Sequence, residues 1–213
     1  DSGIDHTHPD LDDKVVAGCN FTVGIPGGVP GLPGDDNKHG THVGGIAAAE
    51  TGNGIGVAGV AWRCQLMPVK VLTADGYGEW AGIADGIRWA ADNGAHVINL
   101  SLGGSDYSRF LQEAVEYALE KNVVVVAAAG NEFKYYDDTY PAACTGVISV
   151  GALKSDVTTA FFSTKGSHVF LAAPGQGIYS TVPPTVTGKE YDSLRGTSMA
   201  APFVSGADQI QMA

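Results

Sequence analysis

Apolar side chains recur at helical spacing in three stretches of the chain. Trp80, Ile83, Ala84, Ile87 and Ala91 fall at i, i+3, i+4, i+7 and i+11, which predicts an amphipathic helix. It stops at Asn93-Gly94, a C-terminal signal. Leu111, Ala114, Val115 and Ala118 repeat the pattern after a cap expected at Ser105 or Asp106. Ala200, Phe203, Val204 and Ala207 repeat it again. A fourth helix is expected from about Gly40 to Ala49, where small residues permit close packing.

Short apolar runs separate these stretches. Leu66 to Leu72, His96 to Leu100, Val123 to Ala128, Val147 to Val150 and Val169 to Ala172 read as strands. Val123 to Val126 are four consecutive β-branched residues, the mark of a strand buried on both faces. Strands alternating with amphipathic helices imply an α/β fold, a mainly parallel sheet flanked by helices on both faces. Gly24 to Gly34, crowded with Gly and Pro, reads as a loop. Neither repeats nor a domain linker interrupt the chain, so it reads as a single domain. Functional groups in such sheets cluster at the carboxyl ends of strands. If Asp1 is one of them, a strand should precede it. The last apolar pattern also runs into Ile210 and Met212 without a stop. The chain is therefore expected to be a fragment, incomplete at both ends.

Composition narrows the function. The 213 residues are 44% hydrophobic and 16% charged, which excludes disorder as the main state. Twelve Lys and Arg against 23 Asp and Glu leave a net charge of −11; nucleic acid and anionic membrane are poor partners for such a surface. No apolar stretch reaches the roughly 20 residues of a membrane span, and the first residues carry no signal-peptide pattern. Cys19, Cys64 and Cys144 form no close pair. They read as three buried thiols, with one disulfide plus one thiol as the alternative.

Three segments carry the chemistry: Asp1-Ser2-Gly3-Ile4-Asp5, His39-Gly40-Thr41-His42-Val43 and Gly196-Thr197-Ser198-Met199-Ala200-Ala201-Pro202. Each sets one reactive group beside small residues, which let a substrate backbone approach. A serine hydroxyl is a weak nucleophile that needs a base, and a histidine suits the task. A carboxylate on the other ring nitrogen fixes the tautomer. Ser198 stands where the last helix begins, so its N–H and the helix dipole can face a developing oxyanion. Asn131, after the buried strand in Ala127-Ala128-Ala129-Gly130-Asn131, is the best second donor.

The order Asp, His, Ser and these three blocks resemble the subtilisin-like serine peptidases, the subtilases. The likeness extends over the whole chain and takes in Val69-Lys70-Val71-Leu72, Asn99-Leu100-Ser101-Leu102-Gly103-Gly104 and Ala172-Ala173-Pro174-Gly175. It implies a serine endopeptidase acting through an acyl-enzyme, in one peptidase domain over 1–213. Asp1 would orient the base, His39 rather than His42 would be that base, Ser198 the nucleophile and Asn131 the oxyanion donor. Ser101-Leu102-Gly103 and Gly76-Tyr77-Gly78 match the strands between which a peptide substrate adds. Trp80 matches an aromatic of a more distant subsite, although it also lies on its helix's apolar face. Gly103, Ala128, Ala129 and Gly130 match the walls of the primary pocket. Small walls favour large apolar side chains, and Glu132 at the rim admits a basic one. The resemblance further implies peptide or protein substrates, a pro-segment in the precursor, a monomer and secretion.

Asp10 with Thr51, Asn53, Ile55 and Val57 resembles the family's calcium site, and carboxylate, amide and carbonyl oxygens suit a hard cation. Tyr135, Tyr136, Asp137 and Asp138 suggest a second, weak cation site, although an acidic surface loop explains them as well. Two other readings remain at this level. One is a metal-dependent hydrolase using His6 and His8 with Asp5 and Asp10, or His39 with His42. The other is a subtilase fragment that folds but does not catalyse.

Overall fold

The computed structural model describes residues 1–22, 24, 26–133 and 138–211, with side chains up to Asp208. Its elements are β1 (Gly18–Asn20), β2 (Val29–Gly31), α1 (His39–Ala48), β3 (Val69–Lys70), α2 (Trp80–Asp92), β4 (Val97–Leu100), α3 (Arg109–Glu120), β5 (Val124–Ala128), β6 (Ile148–Leu153), β7 (Leu171–Pro174), β8 (Ile178–Thr181), α4 (Pro184–Thr187), β9 (Tyr191–Leu194) and α5 (Thr197–Gln211).

Strands β4, β5, β6 and β7 pair in that order, all parallel. β5 explains the layering. Successive strand residues point to opposite faces, so Val125 and Ala127 pack with α2 and α3, while Val126 and Ala128 pack with α5. A strand covered twice has no polar face, which is why its sequence is an unbroken apolar run. α2 packs on α3 on one side of the sheet; α5 crosses the other side and carries α1 on its back. The expected α/β architecture with helices on both faces is present.

Several details differ from the sequence reading. The parallel strands are divided: β1 and β3 pair in parallel in a separate three-stranded sheet, whose third member, β2, is antiparallel. The run Leu66 to Leu72 contributes only Val69–Lys70 as strand, with an isolated bridge from Leu66 to Val15. β2 falls within the Gly- and Pro-rich stretch expected to be loop. It is an exposed edge strand, where Pro30 is tolerated because no second neighbour needs its N–H. The β8–β9 hairpin was not foreseen, since neither strand alternates cleanly between buried and exposed. The cap of α3 is Ser108, whose hydroxyl accepts from Leu111 N, and not Ser105 or Asp106. α2 ends at Asp92 with Asn93 as its cap. All three cysteines are free, Cys19 and Cys144 buried and Cys64 half-buried. Ile210's side chain, Met212, Ile25, Tyr135, Tyr136 and Asp137 lie outside the described residues.

Candidate active site

Asp1 and His39 meet because two segments distant in sequence are tied at three points. The Asp1 carbonyl accepts from Val71 N and Leu72 N at 2.9 and 3.0 Å. The buried Lys70 ammonium donates to Ser2 O at 2.6 Å and Leu72 O at 3.0 Å, and pairs with Asp36. The third tie runs to α1. A helix leaves its first N–H groups unpaired, and here distant side chains take them. Ser2 Oγ accepts Gly40 N and Asp35 Oδ2 accepts Thr41 N, at 2.9 and 2.8 Å. Asp35 also accepts from Ser2 Oγ, Asn37 N, Lys38 N and the Thr41 hydroxyl. Burial raises the Asp35 pKa, but these donors outweigh it and hold the carboxyl below its usual value. Gly40 is required by the close approach: a Cβ there would stand 2.0 Å from Gly3 O.

The result is a 2.8 Å bond from His39 Nδ1 to Asp1 Oδ1. A carboxylate only accepts, so Nδ1 carries the proton and Nε2 is left as the acceptor. Burial lowers the His39 pKa to about 4, the Asp1 ammonium adding to the effect and Asp35 opposing it. The ring is neutral at neutral pH. His42, three residues on, is fully buried. Its Nε2 faces Ile178 O at 3.0 Å and Asp192 O at 3.1 Å, fastening α1 to the β8–β9 hairpin.

Ser198 is the second residue of α5. Pro202 sits inside that helix and has no N–H, so the Ser198 carbonyl four residues earlier has no helical partner. The buried Ser101 hydroxyl takes its place, donating to Ser198 O at 2.7 Å. In return the Ser198 hydroxyl donates to Ser101 O at 3.3 Å. Ser101, expected to serve through its backbone, thus also anchors the start of α5. Asn131 is anchored by its oxygen, which accepts from Thr197 N at 2.8 Å and from Thr197 Oγ1 at 3.1 Å. That leaves its amide nitrogen uncommitted by these contacts. Asn131 Nδ2 and Ser198 N both lie near Gly196, 3.4 and 3.6 Å from the point a Cβ there would occupy.

A cleft of about 710 Å³ opens beside Ser198 and Asn131. Leu102, Gly103, Ala128, Gly130 and Glu132 line it, as do Thr139 and Thr164, which the sequence reading missed because an isolated threonine carries no pattern. Ala129 corrects the expectation: it is fully buried, its N–H is spent on Val150 O, and it is not part of the lining. Gly76-Tyr77-Gly78 form the closing side of a turn in which Thr73 N donates to Tyr77 O, with Tyr77 exposed. They and Trp80 do not line this cleft. Trp80 packs against the core formed by α2, α3 and β5.

Of the expected calcium ligands, Asp10 is brought against Asn53 and Val57. Asp10 is fully buried; Oδ1 accepts from Asn53 Nδ2 at 2.7 Å and Oδ2 from Val57 N at 2.9 Å. Each carboxylate oxygen keeps a further lone pair beside its N–H donor, and with the amide and carbonyl oxygens of Thr51, Asn53, Ile55 and Val57 the donor set has the chemistry that a hard cation takes. The histidine alternative is corrected. His8 is buried against Glu190 O and Asp10 N, and among the described residues no three His, Cys, Asp or Glu side chains gather as a metal group.

The comparison with known proteins agrees with the fold. The profile of the subtilase family matches residues 1–208. Thermitase of Thermoactinomyces vulgaris is 46% identical over 97% of this chain and 70% of its own length. A thermophilic serine proteinase of Bacillus sp. (strain AK1) is 47% identical over 97% of this chain, which spans 49% of that protein. Among solved structures, a cold-adapted subtilisin-like serine proteinase superposes with a TM-score of 0.87 at 32% identity, covering all of this chain and 72% of its own. Residues 1–208 account for nearly the whole sequence, and the chain belongs to the subtilase family of serine endopeptidases.

Proposed function

We propose that the chain hydrolyses internal peptide bonds through an acyl-enzyme formed on Ser198. The observation that carries the reading is the 2.8 Å Asp1–His39 bond, with Ser198 N and Asn131 Nδ2 both close to Gly196. At rest the Ser198 hydroxyl is held by Ser101 O at 3.3 Å, a long bond for an O–H donor, so little opposes its rotation toward His39. His39 Nε2 takes the hydroxyl proton as Oγ attacks the scissile carbonyl carbon. Negative charge then develops on the carbonyl oxygen, where Ser198 N and Asn131 Nδ2 receive it. The C–N bond breaks as His39 returns the proton to the leaving amine. Water repeats both proton transfers and releases the acid. Asp1 stays ionised and stabilises the imidazolium.

The small walls at Gly103, Ala128 and Gly130 support broad specificity with a preference for large apolar side chains; Glu132 extends tolerance to basic ones. Peptides and proteins are the substrates. Export, a pro-segment that assists folding and a monomeric enzyme accompany this reading through family membership. Among the described residues no helix is long and apolar enough to cross a membrane.

The test is covalent labelling with a sulfonyl fluoride, read by peptide mass. Modification of Ser198 and loss of labelling in Ser198→Ala are expected. Labelling elsewhere, or peptidase activity retained by Ser198→Ala, sinks the assignment.

A further inference from the structure

One side of the Ser198 cleft is rich in oxygen acceptors. Both of its glycine walls face Thr139. A Cβ on Gly103 would stand 2.9 Å from Thr139 Cγ2, and one on Gly130 would stand 2.8 Å from Thr139 Oγ1 and 3.0 Å from Thr164 Oγ1. Asp138, which precedes Thr139 in the chain, lines the same cleft, as does Glu132. The lining thus carries two carboxylates and the two threonine hydroxyls, and among the described residues no lysine or arginine.

The contacts that Asp138 makes among the described residues are weak. The Tyr140 hydroxyl stands 3.5 Å from Oδ2, and Nδ1 of buried His168 stands 3.6 Å from Oδ1; both distances are too long for a strong hydrogen bond. With 56% of its side chain exposed, Asp138 is open to an incoming group.

Apolar and cationic side chains fare differently against such a surface. The small walls leave room for either. A large apolar group strips water from the carboxylates and hydroxyls and replaces none of its hydrogen bonds. An arginine or lysine side chain lays its methylene stem along the glycine walls and brings N–H donors to the oxygens. A guanidinium presents its donors in a rigid fork that matches a carboxylate. Tyr107 and Tyr140 also line the cleft, their rings edge to face with centroids 5.4 Å apart, and an aromatic face attracts a cation.

We propose that Asp138 is a specificity-determining residue: with Glu132 it receives the cationic head of an arginine or lysine side chain on the acyl side of the bond that is cut. The inference rests on the peptidase reading and sharpens it, since the acidic side of the cleft turns a tolerance for basic side chains into a preference, arginine ahead of lysine.

The probes are two product-like peptides, acetyl-Ala-Ala-Ala-Arg and acetyl-Ala-Ala-Ala-Phe, each with a free carboxylate. They are titrated at pH 7 into the Ser198→Ala variant, so that binding is read without turnover, and followed by calorimetry. The arginine peptide is expected to bind at least about tenfold more tightly, the scale of one hydrogen bond to a charged group. Added salt should shrink that ratio, because the pairing groups are partly exposed. Asp138→Asn should remove most of the advantage and Asp138→Glu should keep most of it, whereas a merely structural role for Asp138 would weaken both peptides alike. Equal or tighter binding of the phenylalanine peptide overturns the proposal. So does a ratio unmoved by Asp138→Asn, or no saturation of either peptide by about 1 mM. Failure of the peptidase reading shows separately, as absent Ser198 labelling in the unsubstituted chain, and leaves this binding comparison intact.

Discussion

Replacing Asp35 by alanine removes the acceptor on which the Asp1 segment and the His39 helix both depend. The carboxylate is buried, 7% exposed, and takes bonds of 2.7 to 2.9 Å from Ser2 Oγ, Asn37 N, Lys38 N, Thr41 N and Thr41 Oγ1. A hydrogen bond to a charged group contributes about 1.5–3 kcal/mol net. The five share one acceptor and are not additive, and water entering the space would serve some of the freed donors. A loss of about 3–5 kcal/mol is expected, a large share of the ~5–15 kcal/mol that stabilises a domain. Asp35→Asn keeps the shape and one acceptor oxygen and should lose about half as much. Urea unfolding followed by tryptophan fluorescence gives the stability. NMR titration of His39 gives a second readout: Asp35 raises the His39 pKa, so its removal should lower that pKa further. A loss below about 1 kcal/mol for Asp35→Ala, with the His39 titration unmoved, would refute the reasoning.

Asn131→Ala should lower kcat by about 10²–10³ with little change in KM, the cost of removing one oxyanion donor; unchanged turnover on a chromogenic peptide would remove Asn131 from the mechanism. Stability should fall as the pH drops from about 6.5 to 4. His42 is held neutral in the fold, its pKa lowered to about 4 by burial, with the Ile178 and Asp192 carbonyls opposing. The unfolded chain therefore takes up the proton first, and His42 alone contributes about 3 kcal/mol to the loss. Urea midpoints of the wild type and His42→Gln across that window check this, the variant showing the shallower slope.

Elements with a strong period were legible. β5 announced itself as an unbroken β-branched run because helices cover both its faces, and α2 and α3 followed their apolar spacing. The β8–β9 hairpin and edge strand β2 were not legible, because half-exposed strands impose no regular pattern on their residues. Of the site, the three reactive groups could be named from their blocks. Asp35, Ser2 and Lys70 could not be ranked as they deserve, since a carboxylate, a hydroxyl and an ammonium look like ordinary surface groups until burial shows what they hold.

The amino-acid sequence by itself determined the chemistry available and its order along the chain: a carboxylate first, an imidazole next, a hydroxyl last, each beside residues small enough to allow contact. It also determined that Pro202 would strip the Ser198 carbonyl of its helical partner, since a missing N–H is a covalent fact. Tertiary structure alone decided that Ser101 would claim that carbonyl, that Ala129 would turn inward while Ala128 and Gly130 face the cleft, and that Asp10 would meet Asn53 and Val57. These outcomes depend on which surfaces meet across long stretches of chain, and pairings of that kind leave no local signature in either partner.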